Sequence, residues 1–178
     1  MSIFTNPSSR SIEQAHQYKM AVIELLGSRD PIEVLRSTPA ALQNAVAGLT
    51  EPELSQPEAP AKWSIRQVIR HLADAELVWA YRVRLVLSQH RPTLTGYDQD
   101  RWAERLHYEQ APLGLALQEF EVLRRSNVQV IGNASPADLA RVGIHAERGE
   151  ETLADMIRLC AGHDLLHLAQ LARIRQAL

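Results

Sequence analysis

The C-terminal stretch Thr152 to Leu178, TLADMIRLCAGHDLLHLAQLARIRQAL, constrains the chain more than any other segment. Alternating steps of three and four residues pick out Leu153, Met156, Cys160, His163, His167, Gln170 and Ile174, the spacing that keeps side chains on one face of an α-helix. The apolar face of this helix therefore carries two imidazoles, one turn apart. Burying an imidazole costs free energy unless its ring nitrogens find partners, and one divalent metal ion satisfies both rings at once. No Glu follows the first His, so the HExxH arrangement of zinc proteases is absent. Metal ligation and ordinary hydrogen-bonded core histidines both satisfy the pattern at this point.

Helical periodicity recurs along the rest of the chain. Ser11 to Leu26 reads as a first helix, with Ser11 as N-cap and Gly27 as the stop. Ile32 to Leu49 reads as a second, which Pro39 breaks or begins anew. Glu51 to Lys62 holds three prolines and reads as a connection rather than an element. Ser64 caps a long helix to about Ser88, whose core face runs through Val68, His71 or Leu72, Ala75, Val78 or Trp79, Arg82 and Leu85. His71 lies on that stripe or at its edge. After turns at Arg91-Pro92 and Gly96 and the aromatic and acidic run TGYDQDRW, Leu113 to Ile131 resumes the helical period. Ser135 to Glu151 reads as a polar loop leading to the last helix, capped by Glu151 or Thr152. No stretch alternates with period two for long enough to predict a strand.

The expected fold is all-α: an antiparallel four-helix bundle over 31–178, with an arm and an additional N-terminal helix over 1–30. Packing the second and last of the four bundle helices face to face brings His71 toward His163 and His167. Three imidazoles from two helices make a nitrogen site with open positions, the arrangement of catalytic zinc. Three hydrogen-bonded cleft histidines are the alternative.

Composition narrows the function. A chain of 178 residues with 46% hydrophobic content suits one domain with a substantial core. A formal charge of −2 offers no basic footprint for nucleic acid. A single cysteine excludes an internal disulfide, no leader is recognisable in the first 27 residues, and no apolar run is long enough to span a membrane, so a cytoplasmic protein is expected. Dinucleotide, Walker A, serine-hydrolase elbow and CxxC motifs are all absent.

Four segments carry a resemblance. KWSIRQVIRHLADAE (Lys62 to Glu76), YDQDRWA (Tyr97 to Ala103), HAERGEETL (His145 to Leu153) and AGHDLLHLAQL (Ala161 to Leu171) occur in the order and spacing of the DinB/YfiT-like superfamily, which residues 31–177 resemble. The resemblance implies a four-helix bundle in which His71, His163 and His167 hold a divalent metal, zinc or nickel first, with iron, manganese or copper also compatible. It implies a metal-dependent enzyme acting on a small molecule, either a thiol S-transferase with a low-molecular-weight thiol cosubstrate or a hydrolase. The alternative is a non-catalytic metal- or ligand-binding stress-response protein with a structural metal. A homodimer is expected from the resemblance and from Ala15, Met20, Val22 and Leu26 of the first helix, which need cover.

Other side chains carry expectations of their own. Asp74, one turn after His71, is a candidate base or orienting carboxylate, or else a solvated helix residue. Arg82 and Gln170 are candidate substrate-site residues: Arg82 meets an anionic substrate or else snorkels to the surface, and Gln170, one turn after His167 on the same face, is also a candidate to stand behind that ring. Cys160 reads as a small core residue rather than a fourth ligand. Glu76 reads as a surface residue and Asp164 as a surface or capping one. Tyr97, Asp98, Asp100 and Trp102 either rim a pocket or pack a bundle end. His145, Glu147 and Arg148 read as a loop whose charged pair locks its geometry, and His16, His90 and His107 as ordinary surface or loop histidines.

Overall fold

The computed structural model describes residues 12–178, so Ser11 and the arm before it lie outside the described residues. Helix α1 (Ile12–Leu26) ends at Gly27, whose φ of 58° lets the chain turn in the left-handed region. The bundle proper consists of α2 (Pro31–Val46), α4 (Ile65–Ser88), α6 (Leu113–Gly132) and α8 (Leu153–Gln176). Packing runs α4 on α6, α6 on α2, α2 on α8 and α8 on α4, closing a ring, and α1 lies against α8.

Side-chain contacts give the helix directions. Arg70 pairs with Glu119 near the starts of α4 and α6, and Arg84 reaches Ser126 and Asn127 further along both, so these two run parallel. Arg175 near the end of α8 donates to the carbonyls of Ala45 and Ala47 at the end of α2, so this pair is parallel as well. The antiparallel neighbours are α4 with α8 and α2 with α6. The long crossover over 89–112 makes the parallel step from α4 to α6 feasible.

Three expectations are corrected. Glu51–Ser55 is a short helix, α3, started by a capping box between Thr50 and Glu53, with Pro52 in the first turn where a proline costs no hydrogen bond. Pro39 does not break α2. Its ring removes the hydrogen bond to the carbonyl of Leu35, and Arg124 Nη1 takes that carbonyl at 3.1 Å instead. A small sheet exists: β1 (Thr93–Leu94) runs parallel to β2 (Val142–His145), which pairs antiparallel with β3 (Gly149–Thr152). Strands of two to four residues are too short to display a period of two. The acidic run after Gly96 also contains a helix, α5 (Gln99–Arg105), capped by Asp98, and between β1 and β2 lies α7 (Pro136–Leu139).

Ala15, Val22 and Leu26 are buried within the chain itself, and only Met20 of that apolar set stays exposed. Cover comes from α8, which α1 approaches closely: a Cβ on Gly162 would stand 2.1 Å from the carbonyl oxygen of Val22. Among the described residues no helix is long and apolar enough to cross a membrane.

The core divides along the bundle axis. One apolar cluster holds Leu35, Val83, Val86, Ile131, Leu153 and Met156, and the other holds Leu42, Ile69, Leu72, Phe120, Leu171 and Ile174. Each bundle helix contributes to both. Between them, at mid-height, lies a layer of buried polar side chains that includes His71, Glu76, Arg124, Asp164 and His167.

Candidate metal centre

Helix α4 starts from a capping box between Ser64 and Gln67, and Trp63 just before it packs its ring 5.0 Å from that of His71. His71 is completely buried. Helix α8 starts from a second capping box, Thr152 with Asp155, and presents His163 and His167 on successive turns toward α4. The three rings converge. Their centroids are 5.3, 4.9 and 4.5 Å apart in the pairs His71–His163, His71–His167 and His163–His167, and one ligating nitrogen from each lies within 4.8 Å of the others.

The electrostatics favour neutral rings. Burial, and then the proximity of His167, holds His71 well below the usual histidine range. His163 is held down in the same way by burial and by both partner rings, and burial lowers His167 to about 4. Three uncharged imidazoles therefore share one volume and offer lone pairs rather than charge. The Nε2 atoms of His71 and His163 are 3.2 Å apart. One N–H···N hydrogen bond could bridge that pair, but it would leave His167 out. A tetrahedral ion with nitrogens at about 2.0–2.1 Å sets them about 3.3 Å apart and uses all three rings. The donor set and its spacing fit a divalent metal.

Gln170 stands where its spacing predicted. Its Oε1 is 2.9 Å from Nδ1 of His167, accepts the proton there, and so leaves Nε2 as the free lone pair. Nδ1 of His71 is buried with no partner among the described residues.

Asp74 is buried, but it is not directed at an imidazole. It accepts from the hydroxyl of Tyr108 at 2.5 Å and pairs with Arg70, so it ties α4 to the 3-10 turn Tyr108–Gln110. The expectation of an exposed Glu76 and Asp164 is overturned, since both are buried against Arg124 of α6. Cys160 is a buried core residue 4.0 Å from Arg124, with its thiol pushed well up by burial. His16, His90 and His107 are exposed.

His163 is partly exposed, on the wall of a solvent-open cleft also lined by Trp79, Arg82, Tyr97 and His145. Arg82, a candidate substrate-site residue, thus lines the same cleft as His163. Tyr97 lines the cleft and packs its ring, tilted by 37°, against that of Trp102 with centroids 4.4 Å apart, whereas Asp98 is spent on capping α5. Among the cleft residues that escaped the sequence reading as site residues are Tyr18, contributed by α1, and His145, at the end of β2. The HAERG run pointed to the segment, but only the hairpin turns its histidine inward.

Comparison with known proteins agrees with this architecture. The sequence model of the DinB superfamily matches residues 35–171. A protein of Bacillus mycoides, provisionally named a metal-dependent hydrolase, is 30% identical over 147 residues, which cover 83% of this chain and 84% of that one. A similarly named protein of Oceanobacillus iheyensis is 29% identical over 143 residues, 80% of this chain and 83% of that one. The structure of YfiT from Bacillus subtilis, described as a probable metal-dependent hydrolase with an unusual four-helix bundle topology, superposes with a TM-score of 0.78 at 24% identity, over 98% of this chain and 93% of that one. The chain belongs to the DinB superfamily.

Proposed function

We propose that His71, His163 and His167 hold one divalent metal ion, zinc or nickel, and that the protein is a metal-dependent enzyme of the hydrolase or thiol S-transferase type. The observation that carries this reading is the grouping of three neutral imidazoles, one of them on the wall of an open cleft. Held by these three residues, a divalent ion would supply Lewis acidity toward a water or thiol nucleophile and a substrate oxygen. The names of the relatives support the hydrolytic arm.

The chain's own residues then have distinct tasks. Gln170 fixes the tautomer of His167, and Trp63 packs over His71 and limits its rotation. His163 faces the cleft, so incoming substrate meets that ring first. Cys160 lies in the Arg124 network, so sulfur chemistry requires a thiol brought in as cosubstrate.

Elemental analysis of the purified protein should find one ion per chain, and His163→Ala should lose it while the helical circular dichroism persists. One ion per chain in that variant would overturn the ligand set. The loaded protein is then assayed with ester substrates, and with small thiols and monochlorobimane. Turnover with either class, lost in His163→Ala, supports the enzyme. No turnover with both classes, and folding indifferent to chelation, would make it a binding protein instead.

A further inference from the structure

Two residues that line the cleft beside the histidine group, Arg82 and His145, each carry a buried hydrogen-bond donor with no acceptor among the described residues. The first is Nε of Arg82. Its guanidinium donates through Nη2 to the carbonyl of Thr95 at 2.5 Å, and no carboxylate forms an ion pair with it among the described residues. The second is Nε2 of His145, a residue only 2% exposed. Its other nitrogen, Nδ1, accepts the backbone N–H groups of Glu147 at 3.2 Å and Arg148 at 3.4 Å, which stabilises the hairpin turn. A ring nitrogen that accepts carries no proton, so a neutral His145 carries its proton on Nε2 and is a donor there. Burial and the charges of Arg148 and Arg82 keep it neutral, with its pKa lowered to about 3.

Buried donors without acceptors are uncommon and costly, and two on the walls of one cleft call for a common acceptor. We propose that Arg82 and His145 form a carboxylate subsite, and that the substrate is a small monocarboxylate whose reacting end lies toward His163. This deepens the enzymatic reading above, on which the position of the reacting end rests. A carboxylate matches one planar cation and one neutral donor. A phosphate dianion does not, because Arg148 has both Nε and Nη2 engaged by Glu151 and the carboxylate of Glu147 also lines the cleft. Val78, Trp79 and Leu159 provide the apolar wall for the carbon skeleton.

The test compares benzoate, benzamide and phenyl phosphate by calorimetric titration of the full chain, zinc-loaded and again after chelation. Benzoate should bind at least about tenfold more tightly than either analogue, as expected for a charge-assisted pair, and chelation should not remove the preference. Arg82→Met should abolish the preference without changing zinc stoichiometry. His145→Asn retains an acceptor for the turn but lacks the Nε2 donor, and should weaken benzoate about threefold or more with an unchanged unfolding midpoint. Equal binding of benzoate and benzamide, tighter binding of phenyl phosphate, or a preference that survives Arg82→Met would overturn the subsite. A preference that vanishes on chelation would also overturn it, since the carboxylate would then sit on the ion. Arg82-dependent benzoate binding in a protein that takes up no zinc would sink the metal reading and leave the subsite standing.

Discussion

Two polar clusters share the middle layer of the bundle, one from α4 and α8 and the other from α4, α6 and α8, and they close their hydrogen bonds in opposite ways. Arg124, 2% exposed, binds Asp164 through both Nη atoms and Glu76 through Nη2, while Asn127 donates to the other oxygen of Glu76 at 2.7 Å. All four carboxylate oxygens have donors, and only Nε of Arg124 is left over. The guanidinium also lies over the ring of Phe120 at 4.5 Å. One step along α8 from Asp164, His163 points about a hundred degrees away, into a cluster with three basic nitrogens and no acid. A polar cluster complete within the protein holds helices together. A cluster that lacks its counterpart is built for something from outside.

Arg124→Met and His163→Leu test that distinction most severely. Removing Arg124 strands two carboxylates in the core and should cost about 3–5 kcal/mol in urea unfolding. His163→Leu, measured on metal-free protein, should change stability by no more than about 1 kcal/mol, because an apolar side chain replaces a neutral, partly exposed ring whose contact with Nε2 of His71 is a single neutral hydrogen bond. Equal losses in the two variants would dissolve the contrast.

Within the histidine cluster, Gln170 is the part the protein does complete. Gln170→Ala frees the Nδ1 proton of His167, and should weaken zinc binding about 10- to 100-fold in competition with a chelator. Gln170→Glu keeps the acceptor and should restore most of it. Unchanged affinity in the alanine variant would mean that packing alone orients the ring.

The two clusters also differed in how legible they were. His71, His163 and His167 interrupt apolar stripes of period 3.6, so their burial and mutual approach follow from spacing once the helices pack. Gln170 was placed by the same rule. Glu76 and Asp164 were misjudged because an isolated carboxylate on a helix belongs in water, and the partner that reverses this lies 48 and 40 residues away on α6. The continuity of α2 through Pro39 depends on the same arginine. His145 was unreadable for another reason: a four-residue strand shows no alternation, and the direction of its last side chain depends on pairing with β3.

His145 offers the gentlest probe, through pH. In the unfolded chain it titrates near 6.5, and in the fold at about 3, because burial and two arginines oppose its charge. Between those values the unfolded state binds more protons, so stability rises with pH. The contribution is complete above about 6.5 and is lost progressively as pH falls toward 3. At pH 5 the loss should be on the order of 1–2 kcal/mol, read as a lower urea midpoint than at pH 7.5. His145→Asn has no proton to take up there, and its acid limb should be shallower by that amount. The Arg124 cluster contains no histidine, so Arg124→Met should leave the contribution of His145 in place while lowering stability most at neutral pH, where the two stranded carboxylates are charged. An acid limb as steep in His145→Asn as in the parent would mean that the ring is already protonated in the fold, and Nδ1 could then not be the acceptor that closes the hairpin.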